Sequence, residues 1–310
     1  MAQLIKLKDC ISRYEWNTYR YSSQFIRLKQ EQWGKLYNQW QDESELTEPV
    51  IEEEHEEQST FDKFKSIFKK NKASTEVIQE QEEQILPETE LQLRHYFLDK
   101  LFPFQLKWAT STVSDVSFVY QQYERDETLK FFLQRLPDIY LLMYYPIFNI
   151  KKAPVDAEII LISPVSIEVI YLLESDEQAT FYATDDRSWT KETPRGEETI
   201  ISPIISLKRT EKIIESIMKK HDVSFKINKV ILSRKNDINY YTEPYLTSII
   251  GRSQFEEWLD DKKALSSPLK SQQLKVAEVL LSYCLTNSVK RPEWNDTEES
   301  FATDGAEEDM

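Results

Sequence analysis

Apolar residues along positions 1–40 recur at roughly helical spacing. Ile11 and Tyr14 share one face, and Phe25, Leu28, Trp33, Leu36 and Trp40 continue the pattern. The spacing predicts an N-terminal helical region. A second helix is expected over 91–108, rich in Leu, Phe and Trp, with Pro103 placed to kink or end it early. Residues 127–136 form a third, stopped by Pro137. The pattern then changes to apolar runs of strand type at 139–145, 158–162, 167–173 and 179–183. The polar stretch 184–199, with Pro194 and Gly196, reads as a loop. Ser202-Pro203 opens a helix to about residue 219, with serine as N-cap and proline in the first turn. A strand at 229–233 and helices at 253–261 and 271–285 complete the pattern. Helix, three or four strands, helix, strand is the order of an α/β core with a mixed sheet.

Charge divides the chain further. The net charge is −15, but much of the acidity sits outside the apolar pattern. Residues 41–58 are rich in Asp and Glu and hold neither Lys nor Arg, and the tail 291–310 is acidic with Arg291 as its one cation. Such segments stay solvated. The organisation read from the sequence is a helical segment at 1–40, an acidic, largely disordered linker with a short amphipathic segment at 41–90, a main domain with C-terminal helices at 91–290 and an acidic, disordered tail at 291–310. Inside the linker, Phe61, Phe64 and Phe68 line one helical face beside Lys69 and Lys70. That pattern suits a short helix docking on a protein partner or a membrane surface, or one that packs on its own chain.

Several function classes are excluded. Cys10 and Cys284 lie at opposite ends of the chain, and His55, His95 and His221 are isolated, so no zinc site forms at ordinary ligand spacing. The cysteines read as free thiols in a reducing cytosol. The four glycines are scattered, which rules out a Gly-rich phosphate loop and a dinucleotide fingerprint. The N-terminus lacks the apolar run of a signal peptide. The longest apolar stretch, 139–150, falls short of the roughly 20 residues that span a bilayer. The expected protein is cytoplasmic and has no transmembrane segment.

The stretch 157–173 reads Ala-Glu-Ile-Ile-Leu-Ile-Ser-Pro-Val-Ser-Ile-Glu-Val-Ile-Tyr-Leu-Leu. It resembles the nuclease-related domain (NERD) family, a bacterial group with a restriction-endonuclease-like fold, and the likeness in element order covers about residues 125–235. The family pattern is an Asp, four apolar residues, a small residue with Pro, a Gly-containing turn, an apolar strand and Glu-x-Lys. Trp189 and the helix opened by Ser202-Pro203 match the family's later Trp and Asn-Pro. The resemblance implies a mixed sheet flanked by helices. It places the metal-binding acid at Glu158, the turn Gly at Ser166, the Glu of Glu-x-Lys at Tyr171 and its Lys at Leu173.

Phosphodiester hydrolysis on this plan needs carboxylates on adjacent strands to hold a divalent ion and a cation near the attacking water. Between residues 153 and 190 there is no Lys, and Arg187 is the one Arg. Glu158 replaces the Asp but can still ligate magnesium, whereas Tyr171 and Leu173 cannot stand in for Glu and Lys; Glu168, Glu174 and Asp156 are the candidates for relocated chemistry. The sequence reads as a degenerate, non-catalytic member acting as a binding or assembly module for a protein or nucleic-acid partner, without a cofactor. The alternative is a divergent nuclease using Mg2+. In the N-terminal segment Tyr14, Trp16, Tyr19 and Tyr21 interleave with Arg13, Arg20 and Arg27. That combination suits nucleic-acid stacking and equally a helical hairpin packed on the main body. No dense basic stripe marks a dedicated DNA binder.

Overall fold

The chain's computed structural model describes residues 1–45, 86–151, 153–184 and 187–291. In chain order the elements are β1 (Gln3–Leu7), α1 (Arg13–Trp16), α2 (Thr18–Glu45), α3 (Glu90–Trp108), β2 (Asp115–Val116), α4 (Glu127–Arg135), β3 (Leu141–Tyr144), β4 (Ile147–Ile150), β5 (Ala153–Asp156), β6 (Ile159–Ile162), β7 (Ile167–Leu172), β8 (Thr180–Tyr182), β9 (Ser188–Thr193), β10 (Gly196–Ile201), α5 (Pro203–Lys220), β11 (Ile227–Leu232), β12 (Asp237–Asn239), β13 (Thr247–Ile250), α6 (Phe255–Ala264), α7 (Ser271–Leu281) and β14 (Val289–Lys290). The described residues of Met1–Lys29 and of Leu98–Met310 make one compact unit, and those of Gln30–Phe97 make a second.

In the larger unit a six-stranded mixed sheet has the order β1-β3-β6-β7-β11-β13. Only β6 runs against the others: it pairs antiparallel with β3 and β7, while β1–β3, β7–β11 and β11–β13 are parallel. The reversal at β6–β7 is local. The Ser163 hydroxyl accepts the N–H groups of Val165 and Ser166 at 3.2 and 2.9 Å and holds the turn tight. Parallel β7–β11 pairing needs a long crossover, and α5 supplies it.

Every residue of β3 and β6 is buried, as expected of strands covered on both faces. Two ion pairs fix which way β7 faces. Glu168 pairs with Lys262 of α6. Lys229, in register with Val169, pairs with Glu211 of α5 at 2.5 Å. Alternation therefore puts Val169, Tyr171 and Leu173 on the α5 side of the sheet and Glu168, Ile170 and Leu172 on the α6 side.

Three features depart from the sequence reading. Residues 1–40 are not helical throughout, because Gln3–Leu7 form β1 beside β3. The stretch 184–199 is not a loop along its length. β9 and β10 make an antiparallel hairpin in a second sheet of order β10-β9-β8-β12, with Trp189 fully buried and β10 mostly exposed. Pro103 does not end α3. It sits at an exposed position, as does Asp99 one turn earlier, so the carbonyl that proline leaves unpaired can meet water. Ser202 does stand at the start of α5, but it makes no side-chain cap bond, and its buried hydroxyl has no hydrogen-bond partner among the described residues.

Part of the aromatic and basic pattern at the N-terminus packs into the core, while Arg20 and Arg27 are exposed. Tyr14, Tyr21 and Phe25 surround Trp108 at ring separations of 5.4–6.3 Å, and the Arg13 guanidinium lies 5.4 Å from the same ring. Trp16 and Tyr19 remain exposed. In the smaller unit Trp33, Tyr37 and Trp40 follow one face of α2. Trp33 meets Phe97 at 5.4 Å, and Trp40 Nε1 donates to the Pro87 carbonyl at 2.5 Å.

The fully buried Lys6 joins both ends of the larger unit. Its ammonium donates to the Cys10 carbonyl at 2.8 Å, Glu15 Oε1 at 2.6 Å and Thr286 Oγ1 at 2.9 Å. Lys6→Met leaves three acceptors short of a donor. It should cost about 2 kcal/mol, read as a lower urea midpoint at unchanged slope. Cys10 and Cys284 are free, and burial pushes their thiols up to about 11 and about 12. That makes both poor nucleophiles. No described helix is long and apolar enough to cross a membrane.

Candidate functional site

Glu158, Tyr171 and Leu173, the positions onto which the NERD resemblance lays its acid, Glu and Lys, lie toward one end of the six-stranded sheet. β6 pairs Ile159 with Ile170, so Glu158, one residue before the strand, comes level with Tyr171. Leu173 extends β7 by one ladder bond to the Leu232 carbonyl, at 2.8 Å, and is buried. This is the carboxyl end of the parallel strands, where ligands bind in open α/β sheets.

α5 crosses above Glu158 with Ser206, Arg209 and Thr210 on one face, at the i, i+3, i+4 spacing that aligns side chains. The Glu158 N–H donates to Thr210 Oγ1 at 3.2 Å. Its carboxylate accepts a hydrogen bond from Ser206 and lies 3.9 Å from the Arg209 guanidinium. Burial raises the Glu158 carboxyl above its ordinary value, against the opposing pull of Ser206 and Arg209. Tyr145 follows β3 in the left-handed region, at φ 47°, a strained choice for an aromatic residue. Burial first, and then the charges of Glu158 and Asp126, push its hydroxyl up to about 12. Tyr171 is raised in the same way, by burial and then by Glu158.

Beside this group stands an arginine clamp. Arg234, just after β11, meets both oxygens of Glu174 through Nε at 2.6 Å and Nη2 at 2.8 Å, and its backbone N–H adds a bond of 3.1 Å. Its Nη2 also donates to Thr128 of α4, and its guanidinium lies 5.0 Å from the Phe131 ring centroid. Burial alone would raise the Glu174 carboxyl, but the hydrogen bonds and charge of Arg234 override it and hold the group below its usual range. Asp126 accepts the Tyr144 hydroxyl at 2.8 Å and caps α4 through its other oxygen.

The structure thus sets Glu158 level with Tyr171 and engages two of the relocation candidates elsewhere, while the third, Asp156, is near enough to help raise the Glu158 carboxyl. Glu168 faces α6, Glu174 is held by Arg234, and Asp156 is exposed at the end of β5. Among the described residues, no group of three or more His, Cys, Asp and Glu is placed to hold a metal ion. Divalent magnesium asks for oxygen ligands. A carboxylate already engaged by Ser206 and Arg209, with a tyrosine level with it on the next strand, does not fit it. Phe61, Phe64, Phe68, Lys69 and Lys70 lie outside the described residues. The sequence reading missed Arg209 and Arg234. Both cations come from beyond the strand pair on which the motif sits, and only the Ser206, Arg209, Thr210 spacing marked the first.

The fold and this sheet end define a mixed α/β protein with flanking helices. No protein-family model matches the chain, and no solved structure matches it. A 43-residue segment is 54% identical to an RNA 2',3'-cyclic phosphodiesterase of Geobacillus stearothermophilus, and the match covers 14% of this chain and 14% of that protein.

Proposed function

We propose that the chain is a non-catalytic, nuclease-related binding or assembly module for a protein or nucleic-acid partner, with a restriction-endonuclease-like core. The order α4, β3, β6, β7, α5, β11 supports that core. One observation carries the loss of catalysis. At the sheet end where such a nuclease holds its metal, Glu158 stands level with Tyr171, the next position on that face is the buried Leu173, and the acid that follows the strand, Glu174, is committed to Arg234. The second reading, a divergent Mg2+-dependent nuclease, draws support from Arg209 beside Glu158, a cation that could face a phosphate.

The test is direct. The intact protein is incubated with single-stranded, double-stranded and nicked DNA and with RNA, in Mg2+ or Mn2+. A nucleoside 2',3'-cyclic phosphate joins the panel because of the short likeness to a cyclic phosphodiesterase. The expected outcome is no turnover above buffer. Metal-dependent cleavage that disappears in Glu158→Ala sinks the proposal and installs the nuclease. Binding is read in parallel by pull-down of proteins and nucleic acids, with Phe64→Asp expected to weaken capture if the 61–72 segment docks the partner.

A further inference from the structure

The other face of the same sheet carries a separate feature. A cleft of about 650 Å³ opens beside α6, lined by Glu168 of β7, Asn228 of β11, Tyr240, Glu243, and Trp258 and Lys262 of α6, among others. Two of these residues are more than nine-tenths buried and each leaves a polar atom unused. Glu168, at 7% exposure, pairs one oxygen with Lys262 and, among the described residues, has no hydrogen-bond partner for Oε2. Trp258, at 8%, has no hydrogen-bond partner for its indole Nε1 among the described residues. A buried carboxylate oxygen and a buried indole N–H are both costly when unpaired, so one acceptor and one donor wait at a single cleft.

Charge and aromatic surface decide what fits. The cleft lining holds Glu168, Glu243, Glu257 and Asp261 against Lys226 and Lys262, so the acids are in excess. Lys262 already shows which chemistry the site accepts: its ammonium pairs with Glu168 and lies 5.5 Å from the Trp258 ring centroid. A strand-like peptide is disfavoured. Glu243 Oε1 takes the Ile249 N–H of the edge strand β13 at 3.1 Å and so occupies a backbone donor that an added strand would need.

We propose that this cleft binds an arginine-like organic cation, one that carries guanidinium N–H donors together with a carbonyl or carboxylate acceptor. The guanidinium donates to Glu168 Oε2 and shares the Trp258 face, and the acceptor takes the indole N–H. Both protein atoms are shut away from water, so the Lys262 side chain swings aside as the ligand enters. The site stands independently of the Glu158 end, which belongs to the opposite face of the sheet.

The probe is L-arginine amide, titrated calorimetrically into the intact protein, with L-citrulline amide as the isostere whose side chain is uncharged. Arginine amide should bind and citrulline amide should not. Lys262→Ala removes the internal competitor and should tighten binding at least tenfold, while arginine amide restores thermal stability that this variant has lost. Glu168→Gln should abolish binding. Asp261→Asn, at an exposed rim position, should weaken it about threefold by lowering the local negative potential, and it carries the test if Glu168→Gln does not fold. Acetyl-Gly-Arg-Gly-amide separates the two sources of the cation. Tighter binding of the peptide assigns the site to a protein side chain, and tighter binding of arginine amide assigns it to a free small molecule. Absence of binding to both, equal binding of citrulline amide, or affinity unchanged by Lys262→Ala overturns the proposal.

Discussion

Arg234→Ala should lower the stability of the larger unit by about 3–5 kcal/mol at neutral pH, the usual cost of removing one partner from a buried ion pair. The side chains of Arg234 and Glu174 are 16% and 15% exposed, so water screens them little. The substitution strands the Glu174 carboxylate and removes the bond to Thr128 and the contact with Phe131. Arg234→Met separates these effects, because it keeps an apolar stem over Phe131 and loses only the charge and its hydrogen bonds. The pH dependence gives a second readout. Arg234 holds the Glu174 carboxyl below its usual range in the folded protein. The pair therefore contributes fully above the unfolded carboxyl value, about 4.3. It is lost as pH falls through the lower folded value. Urea unfolding of parent and Arg234→Ala should differ most above about pH 5 and converge in acid. A gap that stays constant down to acid pH would assign the effect to packing alone.

The parts of this fold that sequence pattern exposes are those whose burial is apolar. β3, β6, β7 and β11 fall within a residue or two of the runs at 139–145, 158–162, 167–173 and 229–233, because a strand covered on both faces has to be apolar along its length. β1 escaped because two of its five residues are polar yet fully buried. Gln3 is accommodated by the Asp138 carbonyl and the Tyr14 hydroxyl, and Lys6 by three acceptors drawn from residues 10, 15 and 286. Hydropathy cannot announce partners so far away in the chain. The β9–β10 hairpin escaped for the opposite reason. Apart from Trp189 it buries almost nothing, so its strands look like loop. The candidate site divides along the same line. Glu158 and Tyr171 lie close in sequence, and the antiparallel β6–β7 register sets them level. Whether Glu174 was free to replace a lost ligand depended on Arg234, a residue 60 positions downstream that only the parallel β7–β11 pairing brings alongside.

Tyr171→Glu tests that site by putting back what the nuclease-like pattern asks for. The position is level with Glu158 and on the α5 side of the sheet, half-buried. A carboxylate introduced there faces one whose own carboxyl burial has already raised, and two such groups cannot both ionise freely. Without metal the variant should lose about 3 kcal/mol, through the charge repulsion and the loss of the buried ring. Two carboxylates on neighbouring strands are, however, the minimum that holds a divalent ion in this geometry. Mn2+ at a hundredfold excess over its dissociation constant should therefore return about 2.7 kcal/mol, because it binds the folded form only. The parent should gain nothing from the metal, since Glu158 alone offers one carboxylate and Glu174 is held by Arg234. Leu173→Lys, which adds a buried cation and no ligand, should be destabilised with or without Mn2+. Urea midpoints for the three proteins with and without metal decide the matter. If the parent is stabilised by Mn2+ as strongly as Tyr171→Glu, the sheet end already holds a metal site, and the non-catalytic reading gives way to the nuclease.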